Sequence, residues 1–152
     1  MNPNSLDLDI YQQVILEHNR HPQNFFEMPN PTLKAEGFNP LCGDHLWLYL
    51  QTDAQSRIQD ISFQGSGCAI SKASASMMTM SLKGKTLKEA EVLFEEFHHL
   101  ITGELNTAEN QLGKLKVFAG ICRYPSRIKC AGLAWHTLRG ALKKIENVVS
   151  TE

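Results

Sequence analysis

Apolar residues recur at every second position over residues 45–52, with Leu46, Leu48 and Leu50 on one face. That period of two predicts a half-buried β-strand. Asp53-Ala54-Gln55-Ser56 reads as a turn, and a second strand follows over 57–64, where Ile61 and Phe63 alternate with polar residues. The short connection makes the pair an antiparallel hairpin. Elsewhere the period is helical. Tyr11, Val14, Ile15 and His18 predict an amphipathic helix over 7–20. Gly65-Ser66-Gly67 breaks the second strand, and a helix is predicted over 69–82, stopped by Gly84. Thr86-Leu87-Lys88-Glu89 fits a capping box. Behind it Ala90, Leu93, Phe94, Phe97, Leu100 and Ile101 form one stripe that ends at Gly103. Pro125-Ser126 opens a last helix, with Ile128, Ala131, Trp135, Leu138, Leu142 and Ile145 as its core face. Pro22, Pro29 and Pro31 forbid a helix after the first, so that stretch reads as an irregular connection. Residues 104–113 are polar and read as a surface loop. A small antiparallel sheet covered by helices is an α+β fold.

The chain has 152 residues, enough for one compact domain spanning 1–152. A net charge of −1 argues against a nucleic-acid or membrane-surface partner, which calls for a basic face. No apolar run approaches the roughly 20 residues needed to cross a bilayer. The polar, acidic stretch 1–9 is unlike a signal peptide. Four cysteines without an export signal point to a reducing, cytoplasmic setting and to metal or redox chemistry rather than disulfides.

Three of those cysteines have distinctive settings. Cys42 lies in Asn39-Pro40-Leu41-Cys42-Gly43-Asp44, where a loop enters the first strand. Gly43 permits a backbone turn that could aim Cys42 and Asp44 at one point. Taken alone, a buried Cys beside a turn Asp explains this motif equally well. Cys68 follows Gly65-Ser66-Gly67 at the start of a predicted helix, where unpaired N–H groups and the helix dipole favour a thiolate. Cys130 lies about one turn into the last helix, with Arg127 on the same face and Lys129 adjacent. Both cations favour a thiolate, although a solvated helix end accounts for Lys129. If the fold gathers them, Cys42, Cys68, Cys130 and Asp44 make a tetrahedral site acceptable to zinc or iron.

The remaining candidates have plainer readings. Cys122 reads as a small core residue. His18, His21, His45, His98, His99 and His136 show no zinc-ligand spacing and read as solvated or core groups. Nothing singles out a Cys–His pair for hydrolysis. Met77 and Met80, at helical spacing, read as core fillers rather than as a soft-metal surface with Met78.

Together these motifs resemble the iron–sulfur cluster assembly family typified by IscU and the NifU N-terminal domain, and most closely its SufU branch. The likeness runs through Val14-Ile15-Leu16-Glu17-His18 with Pro22 and Asn24, through Asn39-Pro40-Leu41-Cys42-Gly43-Asp44 and through Phe63-Gln64-Gly65-Ser66-Gly67-Cys68-Ala69-Ile70-Ser71. It continues in Ala73-Ser74-Ala75-Ser76-Met77-Met78 and ends in Arg127-Ile128-Lys129-Cys130-Ala131. The resemblance implies a SufE/NifU-like fold with a three-stranded antiparallel sheet. It implies that Cys42, Asp44, Cys68 and Cys130 converge on one metal. It also implies a partner, a pyridoxal-phosphate cysteine desulfurase of the SufS type that delivers sulfur as a persulfide.

Two features point to the branch. IscU-type scaffolds carry a histidine directly before the third cysteine, and this chain has Lys129 there. The segment 103–118 resembles the insertion of SufU proteins, and Arg127 resembles the arginine of their last motif. The resemblance then implies a zinc-dependent sulfur acceptor. Cys42 is the nucleophile, Arg127 assists the thiolate, and sulfur passes on to a downstream scaffold or apo-proteins. The alternative is a scaffold on which iron or a [2Fe–2S] cluster is assembled at the same cysteines and then transferred. A third class is a zinc-stabilised interaction module, against which the Asp ligand argues, since closed structural sites use Cys and His.

Overall fold

The computed structural model of the protein describes residues 3–105, 110–144 and 147–151. Helix α1 (Pro3–Arg20) leads into strands β1 (Leu33–Asn39), β2 (Asp44–Thr52) and β3 (Ile58–Ser66). Helices α2 (Ala69–Leu82) and α3 (Leu87–Thr102) follow, then a 3₁₀ segment (Gly113–Arg123), helix α4 (Pro125–Leu142) and strand β4 (Val149–Ser150). The sheet order is β3-β2-β1-β4; α2 and α4 pack against it, α1 packs on α2, and α3 packs on α4.

The α+β class holds, but the sheet differs from the expected three antiparallel strands. It has four, and β4 pairs parallel to β1 through Gly37–Val149 and Phe38–Ser150. Strand β4 is two residues long, too short to show a period. Strand β1 hides for another reason. Its inward positions are Ala35, Gly37 and Asn39, small or polar residues without an apolar signature. They are small because α4 lies against them: a Cβ on Gly37 would overlap the Thr137 hydroxyl. The hairpin of β2 and β3 is present, with Leu46, Leu48, Leu50, Ile61 and Phe63 all buried.

The helices follow their sequence signals closely. Thr86 caps α3 with a complete capping box, and Gly103 ends it in the left-handed conformation at φ 79°. Pro125 stands in the first turn of α4. Phe97 stacks on Trp135 at 4.5 Å between ring centres, which locks α3 to α4. The Trp135 indole N–H donates to Ser74 Oγ, and that hydroxyl donates to the Ala131 carbonyl, which ties α2 to α4. Burial of each large aromatic side chain contributes roughly 1.5–3 kcal/mol. Ile145 lies outside the described residues.

Two further departures have simple causes. Leu112, Leu115, Phe118 and Ile121 are buried at a spacing of three, the repeat of a 3₁₀ helix, so the segment after the polar loop is core. Met77 and Met78 are buried, but Met80 is half exposed, because α2 turns that face to solvent. Among the described residues, no helix is long and apolar enough to cross a membrane.

The α3 cap yields a direct expectation. Thr86→Ala removes the acceptor for the Glu89 N–H and should lower stability by about 1 kcal/mol. A urea titration with an unchanged slope and a lower midpoint would report it.

Candidate metal centre

The site forms where the strands end. β1 finishes at Asn39, β2 starts at Asp44, β3 finishes at Ser66, and the N-terminus of α2 and the first turns of α4 close over this edge. The loop between β1 and β2 is a tight turn in which the Gly43 N–H donates to the Asn39 carbonyl at 2.8 Å. Gly43 adopts φ 77°, a conformation that glycine takes without strain. The turn projects Cys42 into solvent and sends Asp44 inward, fully buried.

Cys42, Asp44 and Cys130 come together, with their ligand atoms within 4.8 Å of one another. The Cys130 and Cys42 sulfurs are 3.2 Å apart. Cys68 falls outside that tight set, but its side chain lies against Cys130. Cys68 is the N-cap of α2: its backbone N–H donates to Asp44 Oδ1 at 2.8 Å, and its sulfur accepts from the Ser71 N–H at 3.4 Å. Burial pushes the Cys130 thiol well above its ordinary pKa. Hydrogen bonds with Cys42 and Asp44 and the neighbouring Cys68 add to the effect.

Asn39 is a site residue that its residue type did not advertise. It is fully buried. Its amide donates to Asp44 Oδ2 at 3.0 Å and faces Cys130 Sγ at 3.5 Å, while its side-chain oxygen accepts from the Leu41 N–H. One side chain thus shapes the Cys42 loop and touches two other site residues. A lone Asn before a Pro reads as turn chemistry, and only the fold reveals the contacts with Cys130, 91 positions away.

The residues suit a thiophilic metal. Three sulfurs and one carboxyl oxygen form a donor set accepted by zinc and iron. Each Asp44 oxygen accepts one N–H and keeps a second lone pair. Gly67 leaves the carboxyl its space, since a Cβ there would sit 2.5 Å from Asp44 Oδ1.

The other candidates lie elsewhere. Arg127 is exposed, and its guanidinium stacks on the Tyr124 ring at 4.5 Å rather than joining the cysteines. Lys129 is half-buried and borders a shallow depression with Asn39, Pro40 and Leu41. Cys122 is half-buried in the 3₁₀ segment, beside Gly103. His45 turns to the outer face of the sheet, where it contacts Glu36 and stacks on Trp47. His18 bonds to Ser76 Oγ on α2, and His98 and His136 pack around Phe94.

Comparison with known proteins places the chain in a family. The family model of the NifU-like N-terminal domain matches residues 10–131. The chain is 37% identical over 138 residues to the iron–sulfur cluster assembly scaffold protein IscU of Streptococcus pyogenes serotype M1, covering 91% of this chain and 86% of that one. It is 36% identical over 137 residues to the zinc-dependent sulfurtransferase SufU of Bacillus subtilis strain 168, covering 90% and 92%. Among solved structures, a protein from Fervidobacterium islandicum AW-1 described as a cluster assembly scaffold for the SUF system superposes with a TM-score of 0.82. It shares 35% identity, and the match covers 88% of this chain and 97% of that one. The chain belongs to the NifU-like N-terminal domain family, whose members include IscU and SufU proteins.

Proposed function

We propose that this chain accepts sulfur during iron–sulfur cluster assembly, taking it as a persulfide from a pyridoxal-phosphate cysteine desulfurase of the SufS type and passing it to a downstream scaffold or apo-protein. The observation that supports this most is the asymmetry of the thiols. Cys42 is exposed on a turn, whereas Cys130 is buried on a helix and Cys68 caps one. One thiol can leave the cluster while the others stay. Lys129 before the third cysteine and the likeness to the Bacillus subtilis sulfurtransferase favour the same reading.

In this reading Cys42, Asp44, Cys68 and Cys130 hold zinc, which keeps the sulfurs as thiolates near neutral pH. Cys42 swings out and attacks the outer sulfur of the desulfurase persulfide, and the desulfurase cysteine leaves as a thiolate. Asp44 holds the N-cap of α2 in place through the Cys68 N–H. Arg127 leaves Tyr124 and supports the negative sulfur as it forms. The likeness to the Streptococcus pyogenes protein favours a second reading, in which the same residues receive iron and sulfide as cargo and release a [2Fe–2S] cluster.

Alanine release by the desulfurase separates the two readings. Zinc-loaded chain should accelerate turnover, and metal-stripped chain should not. Suppression by zinc, with a coloured cluster forming on anaerobic iron loading, would establish the scaffold instead. Cys42→Ala should abolish sulfur acceptance while leaving the circular dichroism spectrum intact; normal acceptance by that variant would remove Cys42 from its role. Asn39→Asp keeps an acceptor for the Leu41 N–H but deletes the donor to Asp44 and Cys130. It should weaken zinc binding by about 10- to 100-fold in competition with a chromophoric chelator.

A further inference from the structure

The Cys42 and Cys130 sulfurs meet from opposite sides. One belongs to an exposed residue and the other to a buried residue, and the gap between them is 3.2 Å. A disulfide bond is about 2.05 Å long, so a small closing motion joins them. Any sulfur added to Cys42 is open to solvent on its outer atom, while Cys130 faces the inner atom from within the fold. The other cysteines are placed less well. Cys68 is engaged by the Ser71 N–H, and Cys122 sits in the 3₁₀ segment against Gly103.

We propose that Cys130 is the resolving thiol for sulfur held on Cys42, giving the protein a second output: free sulfide. This rests on the reading of Cys42 as the sulfur acceptor. The Cys130 sulfur attacks Cys42 Sγ, the inner sulfur of the persulfide. The Sγ–Sγ bond forms as the bond from Cys42 Sγ to the outer sulfur breaks. The outer sulfur leaves with the bonding electron pair and departs as sulfide, carrying the Cys130 proton with it when no metal holds Cys130 as a thiolate. It is reduced from the sulfane level to sulfide, and the two cysteines are oxidised to a disulfide, so the step needs no outside oxidant or reductant. An external dithiol then restores both thiols. The Asn39 amide, 3.5 Å from Cys130 Sγ, supports the charge that develops as the proton leaves. An external acceptor thiol thus collects sulfane sulfur from the outside. In its absence the chain itself converts the same sulfur to sulfide.

The test uses the full chain as purified, treated with polysulfide, desalted and held anaerobically without reductant. Released sulfide is assayed, and cross-links are mapped by peptide mass spectrometry. Sulfide and a Cys42–Cys130 link should appear together, at a rate independent of protein concentration. Cys130→Ser should retain the persulfide on Cys42 and lose both products, whereas Cys122→Ser should behave as the native chain. Because Cys130→Ser removes a buried side chain, the native chain is also oxidised with diamide, which needs no variant and should yield the same Cys42–Cys130 link. A persulfide that forms on Cys42 and persists, or a link from Cys42 to Cys68, overturns the resolving role alone. Failure of Cys42 to take up sulfur at all overturns the acceptor reading, and the resolving role with it.

Discussion

A carboxyl group with no access to water must find its hydrogen bonds inside the protein, and Asp44 finds them on separate segments. One oxygen takes the N–H of Cys68 at the head of α2, and the other takes the amide of Asn39 at the end of β1. Cys130 of α4 adjoins the same group. The sheet and two helices are therefore referenced to a single side chain at the sheet's end. If Asp44 moved, the N-cap of α2 would lose its acceptor and Asn39 its partner. A buried polar group of this kind costs stability unless every bond is made, so the site geometry is held within narrow limits.

That rigidity is unevenly shared. Cys68 and Cys130 ride on helices clamped by Ser74, Trp135 and Phe97. Cys42 sits on a four-residue turn between two strands and is anchored mainly through Asn39 and Gly43. Exposed turns are the parts of a fold that open at least cost. The division between fixed and movable sulfur thus follows from which secondary-structure element each cysteine occupies.

Much of this was legible in the sequence because local signals agreed with the global fold. The capping box at Thr86, the stripe from Ala90 to Ile101 and the alternating leucines of β2 each reported one element correctly. Cys42 beside the left-handed Gly43 and Cys68 at the head of α2 stand in the local settings that their motifs predict. What failed was whatever depends on a distant neighbour. β1 carries Ala35 and Gly37 because α4 presses on it, and no window of β1 alone contains that fact. The 3₁₀ repeat of Leu115, Phe118 and Ile121 matches neither an α-helix nor a strand. Arg127 shares a helix face with Cys130, yet its planar cation stacks on the nearby Tyr124 ring. Asn39 shows its role only once residues far along the chain are folded onto it.

Strand β4 has a practical bearing on work with this protein. It runs parallel to β1, its Val149 side chain seated where Gly140 of α4 has no Cβ, and the Thr151 N–H continues the ladder to Phe38. Since β4 runs parallel to β1 and β1 ends at Asn39, β4 points toward the end of the sheet that carries the Cys42 turn. An affinity tag fused after β4 would start on the side of the sheet that carries the candidate metal centre, where a run of histidines would compete with the cysteines for any metal ion supplied. Metal content measured on such material would describe the tag as much as the protein.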